Sequence, residues 1–221
     1  MRHGVEGQQP QISGLGSARA LRPWYLVAAM VLVWLFAVRI LIDRGSLALV
    51  LREGAVPGLD ELARTVSTPL ATNLVVERTL DHARLAVLGA ASGLVFPVSV
   101  ARALLAAGLV LAATLVLAGR PSARTFALQM LGANAVVAVA EYAIFRDLRA
   151  QWIDAAVTSL QVLPGIEAYG DMRQYLYFIE RAVLVLVQVG VPLAGAIALT
   201  RPRTRTYFAE VAAAAESTEE P

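Results

Sequence analysis

The chain has 221 residues, 57% of them hydrophobic and 16% charged, with a formal charge of +2 and a mean hydropathy of +0.62. A soluble domain of this length is about 45–50% apolar and about 25% charged. The composition therefore excludes a disordered, collagenous or ordinary soluble globular chain and predicts an all-α integral membrane protein. Cysteine is absent, which excludes a disulfide scaffold, a thiolate metal site and a thiol nucleophile. All 19 basic residues are arginine. They are spread between apolar stretches, so they read as topology signals and not as a nucleic-acid surface.

Residues 1–22 bury little and are expected to be a mobile segment ahead of the membrane domain, which runs over 23–200. The first span is predicted at 24–42, opening on Trp24-Tyr25 and serving as a signal anchor, because no small-residue cleavage site follows. Residues 43–97 form an outer segment. In it Leu47, Leu49, Val50 and Leu51 make an apolar patch and Pro57-Gly58 a break. A short helix is expected at 59–67, and a helical pattern starts at Ala71. The apolar piece Leu85–Pro97 is too short to cross a bilayer, which takes about 20 residues. It carries the pair Gly89 and Gly93, a spacing that permits close helix contact, and Pro97 is expected to bend the chain as span two begins.

Span two is predicted at 98–117, span three at 126–145, and span four at 180–199, ended by Thr200-Arg201-Pro202. Between spans three and four the outer segment 146–177 opens with an amphipathic helix. Its stripe is Leu148, Trp152, Ala156 and Ser159, and Pro164-Gly165 stops it. This helix and the 43–97 segment are expected to form a cap that covers the span ends or docks a partner. Residues 201–221 read as a polar tail, acidic from Glu216 onward.

Arginine placement sets the expected topology. Arg2, Arg19 and Arg22 precede span one, Arg120 and Arg124 separate spans two and three, and Arg201, Arg203 and Arg205 follow span four. The two outer segments are slightly acidic. With four spans the positive-inside rule puts both termini in the cytoplasm of a bacterial inner-membrane protein. A fifth span at 85–97 would place the triple-arginine tail outside.

Ionisable side chains within spans are rare and costly, roughly 2.5–3.5 kcal/mol each at mid-depth. Arg39, Arg102, Glu141, Glu180 and Arg181 fall at one depth and are expected to form a polar layer. Glu141 is expected to neutralise Arg39, Arg102 or Arg181. The layer serves either to orient helices or as a vestibule for an anionic group. Below it, Asn134, Ala138 and Glu141 share one face of span three, and Arg181, Gln188 and Gly195 share one face of span four. Such stripes are expected to face other helices.

Only His3 and His82 are present, and Glu77, Asp81 and His82 read as a solvated face flanked by Arg78 and Arg84. No phosphate-binding loop, dinucleotide fingerprint or nucleophile elbow occurs. The expectation is a non-enzymatic protein without cofactor or metal. Its contacts would be the bilayer and other membrane subunits or a second copy. The alternative is a transporter or channel component that works as an oligomer through the Arg/Glu layer.

Overall fold

The computed structural model describes residues 22–53, 72–161 and 171–219. These residues form helices and no strands. The helices are α1 (Trp24–Glu53), α2 (Thr72–Ala90), α3 (Ser92–Leu117), α4 (Ala123–Ile144), α5 (Arg146–Gln161), α6 (Met172–Ala182), α7 (Gly190–Thr200) and α8 (Pro202–Glu219), with a π-helical stretch at Val183–Val189 joining α6 to α7. Four stretches are long and apolar enough to cross a membrane: α1, α3, α4 and the continuous run Met172–Thr200.

Each of these helices buries one stripe and leaves much of its remaining surface apolar. On α1 the buried residues are Leu26, Met30, Val33, Phe36 and Ala37; on α3 they are Val95, Ser99, Arg102, Ala106, Leu109, Ala113 and Val116, among others. Both follow the alternating three- and four-residue steps of a helix seam. The opposite faces leave Leu35, Leu104, Leu111, Val136, Leu186 and Leu193 more than half exposed. In water that would be a large liability, and it is the expected surface of a helix in lipid. α1 runs along α3, and α4 and α7 close the bundle.

Helix ends show why the chain turns where it does. At the end of α3, Gly119 has φ +72, its N–H donates to the Val116 carbonyl (3.0 Å), and the Arg120 N–H donates to the Leu115 carbonyl (3.1 Å). This is a Schellman cap, and the left-handed residue at its centre favours glycine. Arginines satisfy other terminal carbonyls. Arg22 donates to Leu117, Arg124 to Leu199 (3.0 Å) and Arg149 to Tyr142. A guanidinium at a helix C-terminus also meets the negative end of the helix dipole.

The four apolar helices lie close to the expected spans, but their ends differ. α1 does not stop at Ile42; it continues eleven residues to Glu53 and absorbs the Leu47–Leu51 patch. Leu85–Pro97 is not one piece, because its first half ends α2 and its second half opens α3. The break falls at Ala91 (φ −101, ψ 24), upstream of Pro97, which sits inside α3. The proline ring crowds the carbonyl four residues before it, so the distortion belongs to the turn on its N-terminal side. Gly93 is exposed, and a Cβ built there meets nothing within 4 Å, so the expected helix contact at this glycine is absent from the described structure; Gly89 is half-buried.

α2 and α5 pack on each other away from the main bundle, with a core of Ala83, Trp152, Ile153, Ala156, Leu160, Met172 and Leu176. The short helix expected at 59–67, the Pro164-Gly165 stop and the N-terminal residues 1–21 lie outside the described residues. Residues 202–219 are not an extended tail. They form α8, which places Thr204, Tyr207 and Phe208 against the terminal end of the bundle. Thr204 Oγ donates to the Ala198 carbonyl at 2.8 Å, and Arg22 Nε donates to the Tyr207 hydroxyl at 3.2 Å.

Gly195 on α7 sits in a close helix contact of the bundle. A Cβ there would lie 2.8 Å from a Val33 methyl and 3.3 Å from a Leu131 methyl. Gly195→Leu is expected to force α7 away from α1 and α4 and to cost about 1–3 kcal/mol. Gly93→Leu is expected to change stability by less than about 0.5 kcal/mol. Thermal unfolding of the two variants in detergent checks the contrast.

Candidate functional site

The site is built at the cap end, where three helices converge on one carboxylate. Glu141 occupies the end of the α4 stripe that carries Leu131, Asn134 and Ala138, all buried. From α3, Arg102 is 1% exposed and brings Nε to 3.2 Å from Glu141 Oε2. The two groups are at ion-pair distance but off the hydrogen-bond line. From α1, Arg44 pairs with the other carboxylate oxygen, Oε1. Asn134 then accepts twice from Arg102 Nη1, through its backbone carbonyl (2.9 Å) and its side-chain oxygen (2.8 Å). From the π-helical stretch, Gln188 Oε1 accepts from Arg102 Nη2 at 3.4 Å.

The local backbone explains how Gln188 reaches that arginine. Pro192 has no N–H to give the Gln188 carbonyl, and its ring crowds that oxygen. The wide π turn precedes the proline, at a place where such turns commonly occur. The network descends about 10 Å from Glu141 to Asn134, two helical turns. One carboxylate thus serves two guanidiniums, one of them fully desolvated. Removing an ion's partner in such a place costs several kcal/mol, while the intact pair contributes little net stability. Ser99 Oγ and Asn134 Nδ2 are buried in the same region without a protein hydrogen-bond partner.

A cavity of about 70 Å³ opens above this network. Arg44, Arg84, Arg149, Glu141, Glu180 and Gln188 supply its polar wall, and Leu88, Tyr142, Phe145, Leu148 and Trp152 its apolar wall. Arg149, 7% exposed, lies flat on the Tyr142 ring with its guanidinium carbon 3.4 Å from the centroid. Arg84 and Glu180 line the same cavity as Arg44.

The expected polar layer is only partly brought together. Arg102 and Glu141 meet, and Glu180 is half-buried at the cavity wall. Arg39 does not join; it is exposed on α1 and pairs with Asp43 one turn on, at 3.4 Å. Arg181 is exposed and does not line the cavity. Both lie on the wrong side of their helices. The α1 stripe steps from buried Met30, Val33 and Ala37 to half-buried Ile40 and Arg44, and residue 39 falls off it. Asn134 and Gln188 are in the network, whereas Gly195 packs against Val33 and Leu131 further along the bundle. Arg44, Arg84 and Arg149 are the additions. Among the described residues no group of three or more His, Cys, Asp or Glu side chains is placed to hold a metal ion.

The Arg39–Asp43 pair is a surface contact one helical turn apart, worth about 0.3–0.5 kcal/mol. Arg39→Gln is expected to leave the unfolding midpoint in detergent within about 0.5 kcal/mol of the parent.

No family model, curated protein or solved structure matches the chain.

Proposed function

We propose that this chain is a non-enzymatic, multi-pass protein of a bacterial cytoplasmic membrane, with both termini in the cytoplasm, acting as an accessory or scaffold subunit of a membrane assembly. The observation that carries the reading is the length and surface of α1. Thirty residues make a helix of about 45 Å, against a hydrocarbon core of about 30 Å. The projecting end carries Leu47, Leu49, Val50 and Leu51, which join neither hydrophobic core of the described residues, and Leu49 is 58% exposed. Leucines carried past the membrane boundary favour a partner helix at that end.

Two further features support a role without transport. The polar network reaches only as deep as Asn134, and toward the termini the bundle is filled by Leu26, Met30, Val33, Leu109, Ala113, Leu131 and Leu199. A conduit needs polar lining along its length. The cavity reaching Gln188 favours the alternative, a transporter component, only over the cap-end half of the bundle.

A photo-cross-linking side chain at Leu49 in native membranes, with one at Leu104 as the lipid-facing control, tests the proposal. A discrete adduct at Leu49 only, and a solubilised particle heavier than the 23.5 kDa chain, is the expected result. A monodisperse single chain with no adduct at Leu49 would overturn it.

A further inference from the structure

We infer that the cap-end cavity is a binding site for a phosphate-bearing anion, presented by an anionic phospholipid or free in solution. This inference is independent of the scaffold reading. Four guanidiniums converge there, from Arg44, Arg84 and Arg149 in the wall and Arg102 behind Glu141, against the two carboxylates of Glu141 and Glu180. The cluster therefore holds a surplus of two positive charges. Coulomb energies grow as the surrounding dielectric falls, so charge left over beside an apolar bundle attracts an anion more strongly than charge in open water.

The chemistry of the wall narrows the ligand. Guanidiniums present a planar fork of donors suited to phosphate and carboxylate oxygens. Arg149 is held in place by its stacking on Tyr142 and its bond to the Tyr142 carbonyl, so its orientation is fixed before any ligand arrives. Leu88, Phe145, Leu148 and Trp152 form the other wall, which suits a ligand with an anionic head and an apolar neighbour. A volume near 70 Å³ holds a few waters, at roughly 10–15 Å³ each, and so one phosphate-sized group, not a nucleotide. The cavity lies at the cap-side end of the apolar helices, where a bilayer crossed by those helices would present its phosphates.

Native mass spectrometry of the full chain in detergent, with phosphatidylglycerol and phosphatidylcholine of matched acyl chains, tests the inference. A parallel thermal melt is run with added inorganic phosphate. Arg84→Gln removes an exposed cation from the wall, Glu180→Gln removes a carboxylate, and Arg181→Gln is a nearby control outside the cavity. Preferential retention of phosphatidylglycerol assigns the site to a lipid headgroup. Stabilisation by inorganic phosphate without lipid preference assigns it to a free anion. In either case Arg84→Gln is expected to weaken the effect about fivefold, Glu180→Gln to strengthen it, and Arg181→Gln to leave it unchanged. Opposite signs for the two wall variants separate charge recognition from damage to the fold. Equal retention of both lipids with no phosphate effect would overturn the inference, as would a shift of the same sign in both wall variants.

Discussion

Glu141→Ala is expected to destabilise the bundle by about 3–5 kcal/mol, one of the two largest effects of any single substitution considered. The reason is the state of the partners left behind. Arg102 is 1% exposed, so its head is shielded from water. Its remaining partners, Asn134 and Gln188, are neutral and cannot replace the lost charge. Arg44 loses its carboxylate as well, but it is more exposed, 16% against 1%, and can turn outward. Breaking a buried pair from one side is costly, whereas replacing both partners by apolar groups of similar size is often neutral. The double variant Arg102→Leu/Glu141→Leu is therefore expected to recover most of the loss. Equilibrium unfolding in mixed micelles measures both. A double variant no better than Glu141→Ala would mean that the carboxylate does not act mainly through Arg102.

Phe208→Ala is expected to cost about 3–5 kcal/mol, the range for truncating a buried phenylalanine. Phe208 is 5% exposed and belongs to the main core with Tyr207, which it meets edge-on at 5.1 Å between ring centroids. The loss would be read as a lower melting temperature. It would also show as protease sensitivity after Arg205, because α8 is held to the bundle by Thr204, Tyr207 and Phe208. An unchanged melting temperature would show that α8 does not dock.

These two residues also show how much of the molecule was legible in the sequence. The four long apolar helices follow from composition and run length, because a 30 Å core filters strongly for apolar stretches. Glu141 and Asn134 share a face by simple helical spacing, so their stripe was visible. Arg44 was not, because Asp43-Arg44-Gly45 reads as a stop after Ile42. A glycine inside a helix costs about 1 kcal/mol against alanine, and the long contact of α1 with α3 overrides it. Continuing the Met30, Val33, Ala37 stripe in steps of three and four would have reached Arg44 and passed over Arg39. α8 had a similar signal. Thr204, Tyr207, Phe208 and Val211 fall on one helical face, and the alanines after Val211 favour helix. Arg201, Arg203 and Arg205 read first as a topology signal instead. The placement of Arg84 and Arg149 around one cavity had no local signal. It comes from α2 packing on α5, a tertiary event that spacing along the chain does not encode.

The absence of cysteine makes the account's central claim, a four-span bundle with its cap on one side and both ends on the other, directly measurable. Single cysteines at Gln151 on α5, Ser122 between α3 and α4, and Glu210 on α8 are all exposed positions. Each is treated in intact cells with a maleimide that does not cross membranes. Labelling is expected at Gln151, and none at Ser122 or Glu210 until the membrane is opened. Labelling of Glu210 from outside while Ser122 stays protected would contradict it, because the chain would then cross the membrane an odd number of times after Ser122.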